Sequence, residues 1–404
     1  MAFPFGESAE VIQRLERAGY LAYAVGGAVR DFLLGRPVHD VDIATSARPD
    51  EVCQFFNKTI PIGMQHGTVA VLHKGKIFEV TTFRSEQGYD DFRHPNQVHF
   101  ERTLDRDLMR RDFTMNALAM DLSGQIIDQF GGQSDMRTKI VRMVGNPEER
   151  INEDPLRMLR GMRFVAELGF TLGSDEREAF TRHASLLEKL SMERVDQEMT
   201  RLLAGPNAVQ AIGLLYETHC IEHLPLQKKG QREAFNAIHF DMLQSEAERW
   251  SVFLAVLGYD QLDAFAGRWK WSGARKKAVK KLLRVLDERR RQSWSRWMVY
   301  KVLPETAYAV ERVRTAIGEE TLAQADETCQ LITGLWNACS IHSTKELAVD
   351  GRDFLYWSGR KGGPWLASVL EDAERAVVCG HLANERSSIE QWFSAWQKEQ
   401  KMPF

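Results

Sequence analysis

Two aspartates one residue apart, Asp40 and Asp42, close a stretch that reads YAVGGAVRDFLLGRPVHDVD over residues 23–42. Residues i and i+2 of a strand share a face. Two carboxylates placed that way repel one another unless cations lie between them. Hard oxygen ligands at this density suit Mg²⁺, which is usually held by one or two carboxylates together with substrate phosphates. Upstream, Gly26-Gly27 lets backbone amides approach a phosphate closely. The pair opens a short helical pattern whose N-terminal amides favour anions, and Arg30 follows one turn in. The spacing excludes a dinucleotide fingerprint, because the third glycine and the later acidic residue are missing. It excludes a P-loop, because no Gly-Lys-Ser/Thr follows. Strand, Gly-Gly, helix, then an aspartate pair on the next strand is an order that suits nucleotidyl transfer. Asp-x-Asp alone also fits an exposed edge strand of alternating polarity.

A second constellation lies in EDPLRMLRGMRF, residues 153–164. Asp154, Arg157, Arg160 and Arg163 recur every three residues, which keeps them along one side of a helix. Leu156, Leu159, Met162 and Phe164 take the other faces. A purely local reading makes Asp154 a helix cap, Pro155 a first-turn residue and Asp154–Arg157 a surface pair. That reading leaves three arginines in register unexplained.

The elements that must position these residues are of two kinds. Up to about residue 145 the pattern is mixed. Residues 8–18 read as a helix with Ser8 as its cap, LAYAV as a strand, AVRDFLLG as a short helix and VHDVDIAT as a strand. ARPDEVCQFF reads as a helix, and TVAVLHKGKIFEVTTF as a β-hairpin turning at Lys74-Gly75-Lys76. Residues 85–100 are polar and turn-rich, a loop. LDRDLMRRDFTMNALAMD reads as helical, and SGQIIDQFGG as a turn and strand. From about residue 146 onward helix follows helix, with no good strand. The fold class expected is α+β: a small α/β head with a mixed sheet, then an elongated all-helical neck, body and tail. The boundaries expected are 1–145, 146–205, 206–295 and 296–404.

A chain of 404 residues is too long for one core. With 44% hydrophobic and 27% charged residues it is an ordinary globular composition. The N-terminus shows no signal peptide, and no apolar run reaches the roughly 20 residues of a membrane helix. The five scattered cysteines lack a Cys-x-x-Cys pair, which fits reduced thiols in the cytoplasm. Net charge is −3, yet residues 266–292 hold eleven cations against two anions, with Trp269 and Trp271 among them. So lopsided a segment in a slightly acidic chain suits contact with a phosphate backbone, with Arg275, Lys276, Lys277, Lys280 and Lys281 as candidates.

GGAVRD, LGR and DVD together resemble the head signature of the DNA polymerase β nucleotidyltransferase superfamily. More closely, they resemble class II tRNA nucleotidyltransferases (CCA-adding enzymes, short bacterial branch) and the related bacterial poly(A) polymerases. RRDFTMNALAMD (110–121) resembles the family's ribose motif, EDPLRMLRGMRF its base-reading motif and ERVDQEM (193–199) its neck motif. The tail segments KELAVDGRDFL and GRKGGPW also resemble the short bacterial branch. The resemblance implies Asp40 and Asp42 as ligands of Mg²⁺, and Glu79 as the third carboxylate. Gly26, Gly27, Arg30, Arg111, Asp112, Asn116, Asp154, Arg157, Arg160 and Arg163 become nucleotide contacts, with Asp112 alternatively only a helix cap. Cytosine and adenine both present an NH₂ donor beside a ring-nitrogen acceptor. A carboxylate acceptor at Asp154 and a guanidinium donor at Arg157 would pair with C or A and clash with G or U. The implied partners are tRNA, CTP and ATP; no membrane is implied, and a homodimer is left open. A-only addition, CC-only addition and poly(A) synthesis are the alternatives. The family implies a switching role for the loop 84–100, here with Tyr89, Asp90, Asp91 and Arg93.

Overall fold

The structure is a computed structural model that describes residues 3–87, 97–227 and 230–399. Tyr89, Asp90, Asp91 and Arg93 lie outside the described residues. The chain divides into two compact units, residues 1–236 with 264–270, and residues 237–263 with 271–404.

The first unit begins with α1 (Ser8–Arg17), β1 (Ala22–Val25), α2 (Gly27–Leu33) and β2 (Asp42–Thr45). There follow α3 (Pro49–Phe55), β3 (Thr59–Gly63), β4 (Thr68–His73) and β5 (Lys76–Thr82). A hairpin of β6 (Arg84–Gln87) and β7 (Gln97–Phe100) leads to α4 (Leu104–Met109), β8 (Ala119–Met120) and β9 (Ile126–Ile127). The main sheet runs β3-β4-β5-β2-β1-β8-β9. It is mixed: β2 and β5 are parallel, and every other neighbouring pair is antiparallel. The mixed head sheet expected from the sequence is present.

β1 is short for a definite reason. Gly26 takes φ 72°, which turns the chain from β1 into α2. The ladder with β2 therefore stops at Val25–Asp42. Residues before Asp42 have no partner on that side, so the strand expected over 38–45 begins only at Asp42, and Asp40 lies in irregular backbone. The same-strand argument for the two aspartates is corrected accordingly. The register Ile43–Val80 puts the preceding residues, Asp42 and Glu79, side by side on the other face of the sheet.

Other expectations change too. Ser8 does not cap α1; it is buried and donates to the Phe5 carbonyl. The polar stretch 85–100 contributes both strands of the β6–β7 hairpin rather than only a loop. Residues 104–121 are helical only to Met109; a 3₁₀ turn (Thr114–Asn116) and β8 follow. The β4–β5 turn is borne out, with Lys74 and Gly75 at positive φ.

The unit continues through α5 (Gly132–Thr138), β10 (Ile140–Val141), α6 (Pro147–Glu153), α7 (Leu156–Leu168), β11 (Thr171–Leu172), α8 (Ser174–His183), α9 (Met192–Ala204) and α10 (Ala208–Glu217). β10 and β11 pair in parallel, so one short strand interrupts the expected all-helical run. The second unit has helices and no strand among its described residues. It includes α11 (Glu246–Val256) and, after α12 (Leu262–Arg268), α13 (Gly273–Arg291); six further α-helices run from Arg296–Val302 to Arg386–Glu399.

Gly132 shows how tightly the head closes. A Cβ there would lie 2.2 Å from the Thr114 carbonyl oxygen, which is backbone and cannot swing aside. Gly132→Ala is expected to cost about 1–3 kcal/mol of stability, read as a lowered Tm; an unchanged Tm would contradict this packing.

Candidate active site

A cleft of about 860 Å³ in the first unit gathers most of the residues singled out in the sequence: Gly26, Gly27, Arg30, Asp42, Arg111, Asp112, Asn116, Asp154, Arg157, Arg160 and Arg163 all line it. Residues more than a hundred positions apart meet because α2 and the 3₁₀ turn face α7. Asp40 and Glu79 stand apart from this lining, although their charges still reach Asp42.

Gly26 is required twice over. Its positive φ suits glycine, and a Cβ would come within 2.9 Å of Arg111 Nη1. Arg111 is anchored from behind by the fully buried Asp107, through Nη2 at 3.0 Å.

The centre of the cleft is a relay. Arg160 donates to Asp112 Oδ2, through Nε at 3.0 Å and through Nη2. The Asn116 amide and the Phe113 N–H donate to Asp112 Oδ1 at 3.0 and 2.8 Å. Asn116 Oδ1 in turn accepts from Arg30 Nη1 at 2.7 Å, and Arg30 also holds Asp31 by two bonds of 2.9 Å. Burial pushes the Asp112 carboxyl up, but the Arg160 charge and these bonds outweigh it and hold the group well below the usual carboxylate range. Asp112 thus does more than cap a helix.

Asp154 caps α7 by accepting the Leu156 N–H at 3.1 Å. Its other oxygen accepts from Arg194 at 2.7 Å, so its partner is Arg194 and not Arg157. Arg157 Nη1 donates to the Arg150 carbonyl at 2.7 Å and to Glu153 at 2.6 Å. Both groups keep unused capacity, namely lone pairs on the carboxylate and the Nε and Nη2 hydrogens of the guanidinium. Arg163 is buried between Glu167 and Glu198.

Asp42 is a different case. Burial first, then the charges of Glu79 and Asp40, push its carboxyl above the usual range, against the pull of Arg111. Among the described residues no three His, Cys, Asp or Glu side chains close on one point as a metal cage.

Arg84, Arg110, Arg194, Arg201, His66 and Phe164 also line the cleft and were missed in the sequence. Arg194 stood inside ERVDQEM, and its spacing gave no hint that it reaches back 40 residues to Asp154. Phe164 was expected on another face of α7; it lies beneath the arginines instead.

Residues 22–142 match the family described as Poly A polymerase head domain. Residues 169–230 match a polymerase A RNA-binding-site family, and 242–393 a tRNA nucleotidyltransferase domain 2 family. The CCA-adding enzyme of Geobacillus sp. (strain WCH70) is 42% identical over 97% of both chains. That of Geobacillus stearothermophilus is 43% identical over 96% of both. The chain belongs to the CCA-adding enzyme family. It is a tRNA nucleotidyltransferase by that membership, and the likeness extends past the head into the tail. The crystal structure of the Bacillus stearothermophilus CCA-adding enzyme in complex with CTP superposes with a TM-score of 0.92, at 41% identity over 99% of each chain.

The basic segment of the second unit fares differently from the cleft. Arg275 is tied to Glu246 and lies over Trp271 and Trp250. Lys276 and Lys280 share Asp263, while Lys281 donates to the Val302 carbonyl and Thr306. Lys277 is exposed. In the first unit, Trp269 is buried and stacks on Phe265. Much of the surplus charge is thus matched by acids elsewhere in the chain.

Removing Asp112 would leave Arg160 without its main partner in a largely enclosed place. Asp112→Ala is expected to cost about 1–3 kcal/mol, discounted because Arg160 is 32% exposed. Denaturant unfolding measures it; a loss below a few tenths would show that the relay does not hold the cleft.

Proposed function

We propose that this chain completes the 3′ end of tRNA by adding C, C and A from CTP and ATP without a nucleic-acid template. One observation carries the reading. A single cleft places the glycine turn, Arg30 and Asp42 at one part and the Asp154–Arg157 pair at another, so one nucleotide can meet both. Family membership supports it.

In this reading Gly26, Gly27, Arg30 and Arg111 receive the triphosphate, and Asn116 meets the sugar. Asp154 accepts the exocyclic NH₂ of cytosine or adenine while Arg157 donates to the ring nitrogen beside it. Arg194 and Glu153 hold those two groups in place from behind. Arg160 and Arg163 orient the reading pair.

Asp42, with Glu79 beside it in the β2–β5 register and the charge of Asp40 within reach, would hold a divalent cation, which we take to be Mg²⁺. Burial, and after it the charges of Glu79 and Asp40, raise the Asp42 carboxyl, and a cation would favour its ionised form. A cation held there would lower the pKa of the attacking 3′-hydroxyl and stabilise the departing pyrophosphate. The protein's own part is to aim the α-phosphate at that hydroxyl. The free cysteines fit a reducing compartment, which we take to be the cytoplasm. No described helix is long and apolar enough to cross a membrane. For the tRNA body, the α13 cations Arg275, Lys276, Lys277, Lys280 and Lys281 are the candidates, with exposed Lys277 first among them.

The test is to incubate the protein with tRNA lacking its 3′ end, Mg²⁺ and each NTP separately or together, and to sequence the products. C, C, then A is expected, with U and G excluded, and Asp154→Ala should lose that exclusion. Long A tails, or unchanged selectivity in the variant, would refute the reading.

A further inference from the structure

Three guanidinium groups lie over one aromatic ring at the floor of the cleft. Arg163 Cζ is 4.1 Å from the Phe164 ring centroid, Arg30 Cζ 5.2 Å and Arg160 Cζ 5.9 Å. All three fall within the range of about 6 Å in which a ring face attracts a cation. The ring is 3% exposed and sits edge to face against Phe113 at 5.4 Å. It has little room to move. A Cβ on Gly161, one turn back, would already meet Phe113 and Phe180 at 3.3 and 3.1 Å.

Each arginine is also gripped along its edge by oxygen acceptors. Arg30 has Asp31 and Asn116, Arg160 has Asp112, and Arg163 has Glu167. Edge contacts fix a planar fork within its plane but let it tip about that edge. A ring face resists the tipping. A carboxylate in the same place would also draw three cations together, yet it would put negative charge beneath the path of a triphosphate. A phenyl ring attracts cations without net charge.

We propose that Phe164 is a positioning residue for nucleotide addition: its ring holds Arg30, on the phosphate side, and Arg160 and Arg163, on the base side, in one arrangement. This rests on the function proposed above. It makes Phe164 the point where the two halves of nucleotide recognition are coupled, so a disturbance there affects CTP and ATP alike.

The experiment replaces Phe164 with a series of increasingly fluorinated phenylalanines, which drain the ring face of electron density with little change of shape. Wild-type protein is assayed first; failure of wild type to add C, C and A would sink the functional reading itself. With wild type active, KM for CTP and ATP is expected to rise stepwise, to about 10-fold for the most fluorinated ring, with kcat and Tm nearly constant. Phe164→Leu should lose at least as much, and Phe164→Tyr should retain near-normal KM. A KM that is flat across the series, or one that rises only in step with a falling Tm, would overturn the proposal and leave the ring a packing element.

Discussion

Asp112 is an ionised carboxylate held where water scarcely reaches, and the cleft is arranged around meeting that demand. An isolated buried charge is strongly unfavourable. Here the Arg160 guanidinium, the Asn116 amide and the Phe113 N–H satisfy it. Each partner is thereby fixed in turn. Asn116 can present its oxygen to Arg30 only because its NH₂ is committed to Asp112. The line Arg160–Asp112–Asn116–Arg30 thus joins α7, which follows the head, to α2 inside it. Residues 130 positions apart in sequence are set against one another by three links.

The electrostatics of the cleft invert those of the chain. The protein carries a net charge of −3, while the cleft is lined by nine arginines and three aspartates. Two of those aspartates, Asp112 and Asp154, are occupied by Arg160 and Arg194. The Asp42 carboxyl is pushed above its usual range by burial, and then by Glu79 and Asp40. A site with surplus cations along most of its wall and one strained carboxylate at its edge suits a polyanion delivered together with a divalent metal. The basic segment of the second unit is a contrast, since ion pairs with Glu246, Asp263, Glu311 and Glu319 take up much of its charge.

The site was legible in the sequence where spacing along one element carried the information. Gly26-Gly27, Arg30, Asp42 and the arginines of α7 sit on short, regular pieces, and all reach the cleft. The reading failed where pairing across the fold decides. Asp40 drops out of its strand because a turn in a different strand, at Gly26, ends the ladder. Arg194 was invisible because its partner lies 40 residues away. Phe164 was assigned by helix period alone to an apolar face, and three arginines from two helices converge on it. The helical boundary near residue 146 was clear, but the two-residue strand β11 was not, because so short a ladder leaves no periodic trace.

The central claim is that one fixed cleft takes both nucleotides and reads both bases with the same two side chains. A pair of crystal structures, with CTP and with ATP bound, tests it most directly. The account predicts that cytosine and adenine each meet Asp154 and Arg157, with the triphosphate running to Gly26, Gly27 and Asp42 in both. A base lying elsewhere, or read by different residues in the two complexes, would contradict it.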